Sequence, residues 1–363
     1  MNLDDVLTEV ATLGASDLHL TVDVPPMARL DGELQRLDHP ALTVDQAREL
    51  IYSMLTPEQQ QKLETDWEID FSYSLYDQTR FRVNAYFQRG SLSAALRAVP
   101  AEIKTIEELG LPHVIHSFCH KPRGFVLITG PTGSGKSTTL AAIIDEINQT
   151  RSDHIVTIED PIEFLHRHKN CVVNQREVGS DTRGFPMALR SAMRQDPDVI
   201  LIGEMRDLET IQIALTAAET GHLVFATLHT QDCPQTIDRI IDVFPPHQQE
   251  QIRVQIAATL EGVVTQQLLR RMTGQGRVGA FEVLISTSAV RNLIREGKTH
   301  QLYTVMQTGS RLGMQTMNAS LSCLVRKGVI TKETAMRRSS NPDDLERLLT
   351  TGAGAYIEEQ VRG

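Results

Sequence analysis

An uninterrupted apolar run, Phe125-Val-Leu-Ile-Thr129, leads directly into Gly130-Pro-Thr-Gly-Ser-Gly-Lys-Ser137, and this junction constrains the chain more than any other stretch. A strand that is apolar on both faces belongs in a parallel sheet covered by helices. The next eight residues fit G-x-x-x-x-G-K-S/T at every fixed position. Leu140, Ile143, Ile144 and Ile147 then recur on one helical face. Strand, glycine-rich turn and helix in this order let backbone N–H groups converge on a phosphate chain, with the helix N-terminus adding partial positive charge. The segment formed by Gly130, Pro131, Thr132, Gly133, Ser134, Gly135, Lys136, Ser137 and Thr138 is therefore expected to bind ATP. Lys136 would reach the β- and γ-phosphates, and the Ser137 hydroxyl would hold Mg²⁺.

Three further segments fit such a site. Asp198-Val-Ile-Leu-Ile-Gly-Glu204 carries four apolar residues to a sheet edge and presents an acid there. Glu204 would polarise an attacking water or hold it through the metal. Many P-loop enzymes have Asp before this Glu; here that position is Gly203, so another acid must help organise the metal. Thr157-Ile-Glu-Asp-Pro-Ile-Glu163 supplies candidates, because crowded carboxylates repel one another unless a cation lies among them. Any of Glu159, Asp160 and Glu163 can face inward. Thr220-Gly-His-Leu-Val-Phe-Ala-Thr-Leu-His-Thr230 puts a histidine at each end of a strand. His229 is at the C-terminal end, where open α/β sheets present ligand-sensing groups, and His222 is at the opposite end.

The 363 residues are too many for one ordinary core, and two domains are expected: 1–100, and 123–363 after a linker at 101–122. In the first, Leu3, Val6, Leu7 and Val10 predict a helix, and Asp17–Val22 and Met27–Leu30 predict strands, the latter turning at Asp31-Gly32. Ala47–Leu55 predicts a helix stopped before Pro57. Phe81, Val83, Ala85 and Phe87 alternate with polar residues as one strand, and Ser91–Val99 is its partner. Ile106, Leu109 and Leu111 predict a short helix. In the second domain, strands at His154–Ile158, Val199–Ile202 and Leu223–Leu228 alternate with helices, giving a parallel sheet. The chain beyond about Gln248 reads as mostly helical, and the tail after Ser339 as loosely held.

With 46 acidic against 36 basic residues, the formal net charge is -10, which disfavours nucleic acid as a partner. The four cysteines are scattered, which suits a reducing compartment and signals neither a zinc ribbon nor a disulfide framework. Nothing at the N-terminus reads as a signal peptide, and no apolar run approaches the roughly 20 residues that span a bilayer.

Together these segments resemble the secretion and type IV pilus motor ATPases. Gly130–Thr138 matches their Walker A, Ile158–Phe164 their aspartate box, Ala188–Asp207 their Walker B with its Gly-Glu ending, and Thr220–Thr230 their histidine box. Ala15–Leu20, Pro25-Pro-Met27 and Arg80-Phe-Arg-Val-Asn84 resemble their N-terminal domain. The resemblance implies an α/β fold: a RecA-like P-loop ATPase domain preceded by a smaller α+β PAS-like domain. It implies a catalytic set of Glu204, Glu163 and His229, with Glu159, Asp160 and His222 on the nucleotide side. It further implies a homohexamer in which Arg80, Arg82 and Arg97 contact phosphate, and a cytoplasmic location at the inner membrane through a pilus platform protein, with other pilus ATPases as further partners. Two features point to the pilus-retraction branch. The chain starts at the PAS-like unit without a four-cysteine insertion, and Ser288-Ala-Val-Arg-Asn-Leu-Ile-Arg-Glu-Gly297 resembles that branch's C-terminal element. Alternatives are a pilus-assembly or type II secretion ATPase and an accessory retraction ATPase.

Overall fold

A computed structural model describes residues 2–30, 32–75, 79–99 and 102–351. The chain divides into two compact units: Met1–Glu102 with Pro161–Leu165, and Ile103–Asp160 with His166–Gly363.

The first unit contains α1 (Leu3–Thr12), β1 (Asp17–Leu20), β2 (Met27–Leu30), β3 (Glu33–Arg36), α2 (Val44–Tyr52), α3 (Pro57–Asp66), β4 (Glu68–Leu75), β5 (Thr79–Gln88) and β6 (Ser91–Ala98). The strands form one sheet in the order β3-β2-β1-β6-β5-β4. Leu3, Val6, Leu7 and Val10 are buried as expected from their spacing. Capping, which apolar periodicity does not reveal, explains the helices that differ from expectation. Thr43 and Gln46 cap each other's backbone, so α2 starts before Ala47 and ends at Tyr52. Thr56 and Gln59 repeat the device, and Pro57 opens α3 where a stop was expected. β1 is shorter than expected, since Val22 pairs in an isolated bridge with Leu42. Of the expected turn at 31–32, Asp31 lies outside the described residues; Gly32 has φ +89°.

One cross-strand row places Arg29, Asp17, Arg97, Arg82 and Ser72 side by side on β2, β1, β6, β5 and β4. Their neighbours Leu18, Ala28, Leu96, Val83 and Phe71 face the core.

The second unit contains α4 (Val114–Cys119), β7 (Gly124–Thr129), α5 (Lys136–Thr150), β8 (His154–Glu159), β9 (Val172–Glu177), α6 (Phe185–Ala192), β10 (Val199–Ile202), α7 (Leu208–Glu219), β11 (Leu223–Leu228), α8 (Cys233–Asp242), α9 (Pro246–Thr259), β12 (Leu260–Arg270), β13 (Arg277–Ile285), α10 (Ser288–Arg295), α11 (Leu302–Thr308), α12 (Met317–Arg326), α13 (Lys332–Arg338) and α14 (Pro342–Thr351). Its sheet runs β13-β12-β7-β11-β10-β8-β9, parallel throughout except for the antiparallel β12–β13 pair. Every residue of β7, β10 and β11 is buried, as expected of central strands covered on both faces.

Two expectations are corrected here. Residues 103–122, expected as linker, pack with the second unit, where Ile106, Ile115 and Phe118 join its core; Ile106 starts a turn closed by Thr105 and Glu108, not a helix. Pro100 and Ala101 lie outside the described residues. The region after Gln248 is mostly helical, as expected, and within it β12 and β13 extend the sheet. The stretch after Ser339 is not loose as far as Thr351: α14 buries Leu345 in a cluster with Leu269, Leu321 and Ile330.

Candidate active site

Parallel pairing aligns the C-terminal ends of β7, β11, β10 and β8, where Thr129 pairs with Leu228, and Ile202 with both Ala226 and Ile158. The residues just beyond these ends, Gly130, His229, Gly203-Glu204 and Asp160, are thereby presented along one sheet edge, the position at which open α/β sheets bind ligands.

Gly130, Gly133 and Gly135 have φ of +138°, +76° and +89°. At Gly130 a Cβ would lie 2.3 Å from the Gln266 carbonyl oxygen, so only glycine allows β12 to approach so closely. Gln266 braces the loop from below: its Nε2 donates to Ser134 O (2.7 Å), and its Oε1 accepts from Thr139 Oγ1 (2.9 Å). Lys136, 9% exposed, folds across the loop and donates to the carbonyls of Gly130 (2.8 Å) and Pro131 (3.3 Å). No side chain caps the N-terminus of α5, whose N-cap is Gly135. The Ser134 hydroxyl is buried without a hydrogen-bond partner among the described residues. An uncapped fifteen-residue helix, a glycine cradle and an orphaned hydroxyl fit a phosphate group. Ser137 and Thr138 are half-buried in the first turn of α5, and Thr132 is exposed.

Glu204 and His229 meet at 2.9 Å between Oε1 and Nε2. Arg206 grips the same carboxylate with Nε (2.6 Å) and Nη2 (2.7 Å). Burial pushes the Glu204 carboxyl up, but the Arg206 hydrogen bond and the nearby His229 outweigh it and hold the group below the usual carboxylate range. Backbone contacts fix its aim: Thr227 Oγ1 donates to Gly203 O (2.6 Å), and Met205 N donates to Thr227 O (3.1 Å).

The structure also explains Gly203. A Cβ there would lie 3.2 Å from both Glu159 Cα and Ile158 O, so the end of β8 crowds any side chain at this position. The Glu159 carboxylate accepts from Thr157 Oγ1 (2.6 Å) and Gln175 Nε2 (3.0 Å). Asp160 is near enough to Arg206 to support its positive charge, an effect to which Glu204 contributes most.

Two sequence-assigned residues have other contacts in this chain. Glu163 groups with the first unit and lies 3.8 Å from Arg82, whereas Glu204 and His229 belong to the second. His222 enters β11 at the end opposite the P-loop. Its Nδ1 is 2.9 Å from Ala217 O, and its carbonyl accepts from Gly124 N (3.0 Å), so it closes the α7–β11 turn and does not join this chain's P-loop. In the first unit, Arg97 Nε is 2.9 Å from Asp17 Oδ1, which leaves that arginine paired. Sequence reasoning missed Arg206, which follows Glu204 by two residues, and Gln266, which only tertiary pairing brings under the loop.

A P-loop, an acid just beyond the parallel strand next but one to it, and a histidine from the strand between them on that acid define a P-loop ATPase. The chain belongs to the type II/IV secretion system protein family, whose model matches residues 1–337. It is 51% identical to the type IV pilus retractation ATPase PilT of Pseudomonas aeruginosa over 95% of this chain and 100% of that protein. It is 48% identical to the twitching motility protein of Neisseria gonorrhoeae over 88% of this chain and 86% of that one. The crystal structure of the pilus retraction motor PilT with bound ADP superposes with a TM-score of 0.88 at 52% identity, covering 96% of this chain and 99% of that chain.

Proposed function

We propose that this chain is the ATP-hydrolysing motor of type IV pilus retraction, acting as a ring of six subunits at the cytoplasmic face of the inner membrane. One observation carries the reading: the hydrolytic edge is intact in a chain that spans the full length of a pilus-retraction relative. The amides of Gly133–Gly135 and Lys136 bind the β- and γ-phosphates, and the Ser137 hydroxyl and a strand-end carboxylate, Glu159 or Asp160, hold Mg²⁺. When bound, that ion neutralises charge on the phosphate oxygens. Glu204 accepts the proton of the attacking water, and His229 holds the carboxylate in place and registers the loss of the γ-phosphate.

The first unit is read as the PAS-like domain. Its cross-strand row sets Arg82 directly opposite Arg97, with Asp17 as the acid in the row. Asp17 and Glu163 hold these two guanidinium groups in the isolated chain, and a phosphate oxyanion from a neighbouring subunit would compete with those carboxylates for them. We assign Arg80, Arg82 and Arg97 to phosphate contacts made across the subunit boundary, completing the positive charge that Lys136 starts. Hydrolysis then drives a hinge rotation between the units and a mechanical step on a platform protein. No helix among the described residues is long and apolar enough to cross a membrane, so the platform is reached through a surface.

The test is deletion and complementation in a piliated host. Loss of the chain is expected to leave excess surface pili and abolish twitching, with rescue by wild type but not by Lys136→Ala. Bald cells after deletion would overturn retraction in favour of assembly. Purified wild type that releases no phosphate from MgATP would overturn the motor itself.

A further inference from the structure

Five elements of the second unit meet below the P-loop on a buried polar cluster that the hydrolytic reading does not use. Thr129, the last residue of β7, shares a 2.7 Å hydroxyl–hydroxyl bond with Thr265 of β12. Thr236 of α8 lies 2.7 Å from Thr230 and donates to Thr129 at 3.5 Å. Opposite Thr265 on β13 is Glu282, 3% exposed. Its Oε1 accepts from Cys233 N (2.7 Å) and its Oε2 from Met317 N (3.2 Å). Cys233 and Met317 are the first residues of α8 and α12, so one carboxylate joins two helix N-termini.

Ordinary capping does not call for this arrangement. Each helix already has its own side-chain cap: Asp232 accepts from Gln235 N, and Thr316 accepts from Ala319 N. A buried carboxylate is a costly way to add a second cap, since removing its charge from water is unfavourable; burial does push the Glu282 carboxyl up, against the pull of the two backbone N–H groups. What Glu282 adds is a connection. On one side α8 begins four residues after His229, and that short loop is tied to the sheet by Thr230 and Thr236. On the other side α12 leads the C-terminal helices, whose core is Leu321, Ile330, Ala335 and Leu345.

We infer that Glu282 is a positioning residue for hydrolysis, fixing the start of α8, and through it the His229 loop, to the start of α12, so that the hydrolytic edge and the C-terminal helices keep one register. The inference rests on the assignment of Glu204 and His229 to hydrolysis. It makes the C-terminal helices part of what sets turnover, although they contribute no group to the nucleotide site.

The test uses the full chain with Glu282→Gln, which has the same shape but one acceptor oxygen, so its amide can hold α8 or α12 and not both. Hydrogen exchange without nucleotide should quicken together at 230–236 and 317–321 and stay unchanged at 143–147 of α5. In steady state, kcat should fall about tenfold or more, the scale of one lost hydrogen bond to a charged acceptor, while KM for MgATP and affinity for a fluorescent ADP stay within about threefold. Glu282→Asp keeps the charge on a shorter stem and should recover part of kcat. Faster exchange confined to 317–321 with unchanged kcat would reduce Glu282 to a cap on α12 and overturn the inference. Faster exchange through α5 as well, or KM rising in step with the fall in kcat, would make it a general requirement of the fold and overturn it equally. If Glu282→Gln does not fold, the Glu282→Asp variant carries the same readouts. Wild type without ATPase activity would defeat the proposed function, yet the exchange pattern would still judge the joint.

Discussion

His229 Nε2 lies 2.9 Å from Glu204 Oε1, a contact between residues that follow the ends of two adjacent parallel strands. The imidazole can therefore steady the carboxylate without contributing to the P-loop. Glu204→Gln should keep nucleotide affinity and lose about 10²–10⁴-fold in kcat, the usual weight of a general base. His229→Ala should lose less, because Arg206 still grips the carboxylate. His222→Ala, at the other end of β11, should leave kcat within about twofold, since it removes a turn contact far from the reacting atoms. Phosphate-release kinetics of the three variants check the ordering; a His222 defect as large as that of His229 would contradict the geometry.

If Glu204 is the base proposed above, Arg206 helps set the pH at which it is available. Burial raises the Glu204 carboxyl, and the hydrogen bonds and charge of Arg206, with His229, bring it below its ordinary value. A base with a depressed pKa remains ionised as pH falls, and its activity is lost only on passing that lowered value. Arg206→Ala removes the main depressing partner while burial remains. The acid limb of the kcat/KM profile should therefore move to higher pH. The stability that the pair contributes is present above the unfolded carboxylate pKa and lost as pH falls through the folded one. A profile with an unmoved acid limb would show that Glu204 is not the titrating base.

The P-loop and strands β7, β10 and β11 were legible because each is a wholly apolar run ending in a chemically distinctive residue, and local pattern suffices there. Strands β12 and β13 were not legible. Val263, Val264 and Leu269 are buried on both faces of β12, so no two-residue alternation appears, and the run continues the apolar spacing of Ile252 and Ile256 in α9. Helix α3 buries only Leu63 and depends on its capping box, a signal weaker than periodicity. Glu159 and Glu163 read as neighbours in the sequence, but pairing with Gln175 and Arg82 takes them to different units. The functions of Gln266 and Glu282 exist only through contacts more than thirty residues away, which no local motif contains.

Bracing of the loop by β12 is testable at Gln266. Its amide is the polar group beneath the loop, bonded to Ser134 O and Thr139 Oγ1. Gln266→Leu preserves volume but leaves both buried partners unsatisfied, a cost of about 1–3 kcal/mol each. ADP affinity should fall about tenfold, with a lower melting temperature. Gly130→Ala should be more severe, because its Cβ would meet the Gln266 carbonyl at 2.3 Å at a φ of +138°. Titration with a fluorescent nucleotide and thermal unfolding report both effects. Unchanged affinity in Gln266→Leu would mean that the loop holds its shape without β12.

Gly203 gives the sharpest test of how the acidic edge is built, because the substitution that restores a common P-loop acid should harm this enzyme. The Cβ of an aspartate at 203 would press on Glu159 Cα and Ile158 O at 3.2 Å and lie 3.7 Å from Glu159 Cβ, which brings a second acid beside Glu159. Two like charges at short range disfavour ionisation of both, and the strand end must shift to admit the side chain. Gly203→Asp should therefore lower kcat about tenfold or more, the factor that ~1.4 kcal/mol of misplacement produces. Gly203→Ala separates the steric part and should cost less. Adding Glu159→Gln to Gly203→Asp removes the repulsion and should restore activity relative to Gly203→Asp alone, if the aspartate then takes over the role of Glu159. A Gly203→Asp enzyme as active as wild type would show that Glu159 does not occupy the place of the missing acid.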